Sequence, residues 1–561
     1  MGMGDLVSRL YAGFRGVDFR GEEVNLVRSP NSLNMWKDYR ETEQIRTRPK
    51  LEKVNAYTTP VWGIFFYKVG NRQMQLIHSG TKLYLYENGN ISELYSGLNP
   101  RRSQAFIYNN IWYFKDGINY IQFDGVDAKE VEGYVPTTTI GRKPEGGGSQ
   151  YEDVNMLTGL RINTFLADGE SKVYYLDAQN IDTDYFPVVT VNEKKEGNFK
   201  IDYAAGKITF DNAPPAPNTD GQDNVSIKFK KVVEGYRDRI NNCTLLQVFD
   251  NRVFFSGNQD YPNVVWHCSL NEPSYCSDLD YYNEGLDLAK VTGLVAGNNA
   301  LWVFKEPSQA NTAVFYHNPA LDGEYGKIYP SVHSSIATGC VGGAINFNDD
   351  IVFFSDRGME AINGDVTTEQ AIAHRSAMVD AKLLAEEDYS KMILEEWEGY
   401  LLVVIGNRVY LADSRGTFAN ENHMEYEWFY WNFDKTIRST CVYNGILYLG
   451  TDDGIYTLTD NAGAVESYWV TPIDKFKHPQ YQKTTNKRGC VVEGTGNIQL
   501  LVRTNNMEWE TIGNYEGVTD YFVSRIKRKK FKDIQIMFRS DERFSLESAT
   551  LECYIGGYIK R

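Results

Sequence analysis

The most charged stretch of the chain is Arg525-Ile526-Lys527-Arg528-Lys529-Lys530-Phe531-Lys532, in which six of eight residues are basic. Such a strip can hold phosphates or an acidic partner surface. It can equally be a lysine-guarded edge strand that blocks sheet-to-sheet association. Ile526 and Phe531 are its only apolar residues, so most of its side chains must be solvated or paired. No RNP-type aromatic platform and no helix-turn-helix accompanies it, so sequence-specific reading of nucleic acid is not expected.

No catalytic constellation stands out. HExxH, GxSxG, GxxxxGK[ST] and the EF-hand spacing are all missing from the sequence. Asp349-Asp350 and Asp452-Asp453 are paired acids, but each sits where a hairpin turn is expected, and turn chemistry explains them. Ser355-Asp356-Arg357-Gly358 superficially resembles the Asp-box turn of propeller glycosidases, without the aromatic that follows the glycine there. His267, Cys268 and Cys276 fall close together, but no CxxC pair exists, and buried thiols are the simpler reading. The seven His are isolated from one another. No cofactor, metal or enzymatic activity is expected.

The chain has 561 residues with Lys plus Arg 58 against Asp plus Glu 74, a formal net charge of −16. That balance argues against a surface wholly devoted to nucleic acid, while leaving room for a local basic patch. With 38 Tyr, 28 Phe and 48 Gly the composition suits β-sheet joined by tight turns, and is too aromatic for disorder. No run approaches the roughly 18 apolar residues of a membrane helix. Residues 1–21 carry dispersed charges and no apolar core, so no secretory signal is read there. Seven scattered cysteines fit a chain made in a reducing cytosol.

One grammar recurs: apolar strand, short polar turn, apolar strand. It begins with WGIFFYK (62–68) and KLYLYE (82–87), and returns as FIYNNIWYF, LLQVFDNRVFFS, LVAGNNALWVF, AINFNDDIVFFS, LEEWEGYLLVVIGNRVYLAD and TCVYNGILYLGTDDGIYT. A period of about 40–50 residues points to an all-β, β-propeller fold of five to seven blades. Residues 136–242 break the period and read as an inserted small β-sandwich. Residues 466–561 read as a C-terminal β-sandwich. The expected organisation is therefore 1–49 an extended N-terminal arm, 50–135 and 243–465 the two parts of the propeller, and the two sandwiches. A single amphipathic helix is expected over Ser376–Met392. Residues 16–49, rich in charge and poor in periodic apolar positions, are expected to lie along a neighbour and not in the chain's own core.

Three features carry a family resemblance. The first is Gly16-Val17-Asp18-Phe19, Arg28-Ser29-Pro30-Asn31-Ser32-Leu33-Asn34-Met35 and Ile45-Arg46-Thr47-Arg48-Pro49, with Lys50 where glycine is usual. The second runs from Asn251-Arg252-Val253-Phe254-Phe255-Ser256-Gly257-Asn258 through Asp260-Tyr261-Pro262-Asn263 to Trp266 and Asn271-Glu272-Pro273. The third is the basic strip with the terminal Gly-Gly-Tyr-Ile-Lys-Arg. Together they cover about a third of the chain, and they resemble the tail hub or nozzle proteins of short-tailed bacteriophages, also called packaged-DNA stabilisation proteins. The resemblance implies a homohexameric ring below the portal-adaptor complex, placed in the virion tail after synthesis in the bacterial cytoplasm. It implies portal-adaptor proteins and tail fibre or needle proteins as partners, and non-specific contact with genomic double-stranded DNA that the ring retains and later conducts. On that reading Arg525, Lys527, Arg528, Lys529, Lys530 and Lys532 contact DNA or the next subunit, and Arg28, Asn34, Met35, Arg46 and Arg48 contact the head-side partner. Six copies at −16 each total −96, and a negative wall does not hold a moving polyanion. The rival class is a carbohydrate-binding or carbohydrate-cleaving propeller, which needs two convergent carboxylates or exposed loop aromatics.

Overall fold

The structure, a computed structural model, describes residues 5–40, 44–308, 312–322, 326–363, 366, 371–420, 423–460, 463, 465–527 and 530–558. It is an all-β, β-propeller fold with an inserted sandwich and a C-terminal sandwich. Seven four-stranded antiparallel sheets occur among the described residues, over 61–96, 104–130, 245–283, 291–333, 344–374, 393–432 and 437–459. The blade count is thus at the upper end of the expected five to seven. The last of them has only three consecutive strands and takes its fourth, Lys50–Ala56, from near the start of the chain.

Turn chemistry explains why the same unit recurs. In six of these sheets the first and second strands are joined by two residues that both have φ between 49° and 78°. They are Asn109-Asn110, Asp250-Asn251, Asn298-Asn299, Asn348-Asp349, Glu398-Gly399 and Asn444-Gly445. Two left-handed residues make the turn whose twist matches antiparallel strands, and Asn, Asp and Gly tolerate that conformation best. The second strands that follow are buried along nearly their whole length, as in Ala300–Lys305 and Tyr400–Ile405. Both faces of such a strand are covered, which is why these segments read as continuous apolar runs instead of alternating ones.

The chain forms two compact units. One comprises 67–76 and 81–333. Within it the first strands of successive sheets, Gln104–Tyr108, Leu245–Phe249 and Val291–Gly297, lie side by side. It also holds the insert. A six-stranded sheet, which includes Thr137–Arg142, Leu160–Phe165, Val225–Lys230 and Val188–Val191, faces a three-stranded one across a core of Phe165, Tyr174, Ile208, Ile227 and Phe229. The short helix Tyr236–Asn241 leads back to the propeller strands. Its last carbonyls are capped by the buried Lys115, whose Nζ donates to the oxygens of Ile240 (2.7 Å) and Asn241. Burial pulls the Lys115 ammonium down to about 8.

The other unit comprises 1–66, 77–80 and 334–561. Here Ala344–Phe347, Ile393–Trp397 and Ile437–Tyr443 are neighbouring first strands. The C-terminal sandwich is one sheet that turns back on itself. Its 24-residue strand Tyr481–Thr504 pairs with Phe544–Tyr558 along one part and with Ile534–Ser540 along another, around a core that includes Val492, Leu500, Ile536 and Leu551.

Two expectations are corrected here. The described residues of the segment 1–49, namely 5–40 and 44–49, are not an extended arm. Leu6–Ala12 pairs with Phe544–Tyr558, Ile45–Thr47 pairs with the same strand, and Ser32–Leu33 pairs with Ser467–Val470. Trp36 is wholly buried, stacked on Trp397 at 5.9 Å and edge-on to Trp431 at 5.5 Å. The scarcity of periodic apolar positions misled because these strands are two to seven residues long and contribute single large side chains to a core made by others. The helix expected over Ser376–Met392 shrinks to Asp380–Leu383, with a separate 3-10 turn at Tyr389–Lys391. Asp388 sits at φ 65°, which breaks the run, and the anchoring of Met378, Val379 and Leu383 in the core decides the rest.

The closing strand yields a prediction. A Cβ on Gly454 would lie 2.3 Å from the Asn55 carbonyl oxygen. Gly454→Ala should push Lys50–Ala56 off its partner and lower stability by about 1–3 kcal/mol. Urea unfolding should show it, together with faster amide exchange over 51–56. Unchanged exchange there would mean that this contact does not hold the strand.

Candidate functional site

The basic strip lies on the C-terminal sandwich. Arg525, Lys527, Lys530 and Lys532 are exposed, and Ile526 and Phe531 are buried. Arg528 and Lys529 lie outside the described residues. Ser524 pairs with Cys490 and Lys530 with Thr484, so the strip runs along the long strand Tyr481–Thr504. The backbone of the strip is held in place: Thr485 Oγ1 donates to the Lys527 carbonyl at 3.1 Å, and Lys483 Nζ donates to that of Lys532 at 2.7 Å. Among the described residues, no carboxylate pairs with the side chains of Arg525, Lys527, Lys530 or Lys532.

Tertiary structure adds two cations that the sequence did not single out. Lys487 is exposed within the strand Tyr481–Thr504, where its pairing shifts register between Thr485 and Cys490, and a Cβ on Gly489 would lie 2.6 Å from the Ile526 nitrogen. Lys477 is exposed next to Phe476, whose ring packs 6.1 Å from that of Phe531. Neither pairs with a described carboxylate. Some cations elsewhere are paired, such as Arg72 on Glu87 at 3.0 Å and Lys82 on Glu93 at 2.7 Å, while the exposed Lys68, Lys194, Lys195 and Lys200 pair with no described carboxylate; what sets the strip apart is the clustering of such cations.

The residues expected to meet a head-side partner are instead used inside the chain. Asn34, at φ 57°, accepts from Arg48 Nε at 2.9 Å and from the Asn432 backbone at 2.8 Å, and its amide donates to the Glu466 carbonyl at 2.8 Å. Arg48 also donates to the Asn432 carbonyl and lies over the Phe433 ring at 4.2 Å. Burial pulls Arg48 down to about 10, which leaves it charged at neutral pH. Arg46 pairs with the buried Asp38 and lies over Trp36. Met35 is fully buried, and Arg28 donates to the Arg15 carbonyl at 3.0 Å. Gly16 is required by close approach, because Val17 N donates to the Trp428 carbonyl and a Cβ on Gly16 would lie 2.3 Å from that oxygen. Thus Asn34 and Arg48 join the strand His423–Asn432 to Glu466, just before the strand Ser467–Val470, and Met35 is buried in the core shared by these strands. Asn34 and Arg48 found partners hundreds of residues away, which no local pattern announces, while Arg28 and Arg46 bond within the N-terminal segment.

Above this join lies a cleft of about 850 Å³ whose lining includes Arg15, Asp18, Arg20, Glu22, Arg28 and Glu425. Arg20 forms a two-pronged pair with Asp18 at 2.9 and 2.8 Å. Its arginines are matched by Asp18, Glu22, Glu23 and Glu425, so the cleft has no net preference for an anion.

Asp350, Asp452, His267, Cys268 and Cys276, all singled out in the sequence, have partners within the fold or are buried. Cys268 and Cys276 are buried thiols pushed up by desolvation, Cys268 to about 12, and His267 is pulled down to about 4 by burial. No group of three His, Cys, Asp or Glu among the described residues could hold a metal. Asp350 accepts from Arg375 at 2.9 Å and Tyr426 at 2.6 Å, and Asp452 accepts from Arg438 at 2.7 Å. In Ser355-Asp356-Arg357-Gly358 the Ser355 hydroxyl bonds within the turn to Gly358 O and Arg357 N. Thr451-Asp452-Asp453-Gly454 repeats that geometry. His374 is clamped between Asp380 at 2.6 Å and Glu360 at 3.0 Å, and these hydrogen bonds raise it to about 9.

No family model and no curated protein matches the chain. Similar solved structures include BamB from Moraxella catarrhalis, 11% identical, with 73% of this chain and 97% of that one covered at a TM-score of 0.33. YCF48 bound to a D1 peptide is 5% identical, with 75% and 98% covered at a TM-score of 0.34. Hsv2 from Kluyveromyces lactis is 9% identical, with 66% and 98% covered at a TM-score of 0.25. Likeness at this level carries no argument about function.

Two outcomes are expected. Because the folded pKa of His374 lies above the unfolded value near 6.5, its charged form stabilises the fold. That contribution is complete below about pH 6.5 and is lost as pH rises through about 9. The melting temperature of wild type should fall across this window relative to His374→Gln, and parallel curves would show that the clamp is not ionic. Asn34→Ala should lower stability by about 2–4 kcal/mol, since it orphans a buried guanidinium contact and a backbone N–H. Normal stability in urea combined with failed assembly would restore the partner role for these residues.

Proposed function

We propose that this chain is a structural subunit of a short-tailed bacteriophage tail, a hub or nozzle ring subunit below the portal-adaptor complex. The ring would retain packaged DNA and form the conduit for its ejection. The observation that carries this reading is the patch of exposed cations without carboxylate partners, Arg525, Lys527, Lys530 and Lys532 with Lys477 and Lys487, on a chain of net charge −16. An acidic chain that leaves such a cluster unneutralised has a place for an external polyanion, and phosphates are the natural occupants. The patch flanks strands held by backbone pairing, which lowers the backbone part of the ordering cost of binding. It has no base-reading element, which suits contact with any DNA sequence. The resemblance at the N-terminal segment supports the same assignment: residues that weld the last blades to the C-terminal sheet give a stiff body suited to a wall.

Triple reversal Lys527→Glu, Lys530→Glu, Lys532→Glu tests it. The purified protein should bind double-stranded DNA with an affinity that falls steeply with salt. The variant should lose about 3 from the slope of log affinity against log salt. Particles carrying it should assemble and then lose genome. Rings that fail to form would make the strip a subunit interface. Unchanged DNA binding and assembly would make it only an edge guard.

A further inference from the structure

The inserted sandwich carries a second recessed surface, separate from the basic patch. Its six-stranded sheet has an inner face, where Phe165, Val189, Val225, Ile227 and Phe229 build the core. On the outer face, register places three hydroxyl side chains in one row across three strands. Thr164 is opposite Ser226, and Ser226 is opposite Thr190. Facing residues on adjacent antiparallel strands stand about 5 Å apart, so the row presents hydroxyls at a regular short spacing.

Loops raise walls around that row and enclose about 320 Å³. One wall is the turn at Asn192 and Glu193, both left-handed at φ 47° and 64°. The opposite wall comes from Pro217, Asn218, Gln222 and Asp223. Asp223 is pre-set: its Oδ2 accepts from Gly141 N at 2.8 Å and from the Thr164 hydroxyl. Asn224 anchors the wall from behind, accepting from Ala167 N at 3.1 Å and donating to Pro215 O at 2.8 Å. Among the described residues, the side chains of Thr190, Asn192, Glu193, Asn218, Gln222 and Ser226 hydrogen-bond to no protein group.

The chemistry of the lining narrows the ligand. No Lys, Arg or His lines the groove, and two carboxylates do, so an anion is disfavoured. Apolar surface is confined to Pro217 and Val225, so a hydrophobic ligand has little to bury against. What remains is a dense mixture of hydroxyls, amides and carboxylates that can both donate and accept. We infer that this groove on the inserted sandwich binds a neutral saccharide, whose closely spaced hydroxyls match that array. Its volume lies at the small end of ligand sites, which fits one or two sugar units. This inference is independent of the tail-subunit reading, because it uses different residues on a different module.

The test uses the full chain and a panel of neutral mono- to tetrasaccharides, read by saturation-transfer difference NMR and by calorimetry. Titrations are run in EDTA and repeated with calcium alone. At least one saccharide should bind, with affinity unchanged between 0.1 and 0.5 M salt and unaffected by EDTA. Thr190→Val with Ser226→Ala, which removes two hydroxyls from a solvent-facing row, should weaken that binding about tenfold or more. Circular dichroism and the melting curve establish that the variant is folded. Asn192→Ala, in the wall, serves as a second variant if the double one does not fold. No saccharide binding at millimolar concentrations overturns the inference. So does calcium binding without saccharide binding, or saccharide binding that the variants leave intact.

Discussion

Lys50–Ala56 pairs with Gly454–Thr459, so the last four-stranded sheet of the propeller is incomplete until Ala56 has met Gly454, far along the chain. The entropy of closing so long a loop grows only logarithmically with its length, and several independent contacts share it. Leu6–Ala12, Ser32–Leu33 and Ile45–Thr47 add strands to the C-terminal sheet, and Trp36 fills the space between Trp397 and Trp431. The start and end of the chain therefore stabilise each other. Stability in this unit comes from pairing between segments remote in sequence, which also implies slow folding for a chain of such high contact order.

The same arrangement explains how charge is distributed. Polar groups carried into the interior by the N-terminal segment are satisfied in place, as Arg48 is by Asn34 and the Asn432 carbonyl. Lys115 meets the same need in the other unit by capping a helix end. A buried cation without partners would cost several kcal/mol, so each is matched to carbonyls or carboxylates. The outer face of the C-terminal sandwich bears no such constraint. There the exposed lysines stay hydrated and unpaired, and an external polyanion or acidic surface can take them.

The two candidate surfaces use opposite physics. The basic patch acts through net charge and is salt-sensitive by nature. The groove on the insert carries acids and amides but no cation, and acts through short hydrogen bonds that salt does not screen. One chain can thus offer two candidate recognition surfaces of opposite chemistry.

The repeated blades were legible in the residues alone. Asn-Asn, Asp-Asn and Asn-Gly between apolar runs demand left-handed turns, and those turns fix the hairpin register locally. The alternation of the basic strip was legible too, because Ile526 and Phe531 must point inward if the lysines are to stay in water. The N-terminal segment was not. Asn34 and Arg48 read as contacts to a partner because the groups they meet, Glu466 and Asn432 among them, are hundreds of residues away and are chosen by packing that no local period encodes. The stretch 376–392 had helical spacing, but helix propensity is worth a few tenths of a kcal/mol per residue, and anchoring Met378 and Leu383 in the core outweighs it. The hydroxyl row Thr164, Ser226 and Thr190 exists only through strand register, since residues 164, 190 and 226 become neighbours when the sheet forms. Local chemistry determined the turns and the strands, and tertiary pairing decided which remote residues came to share a surface.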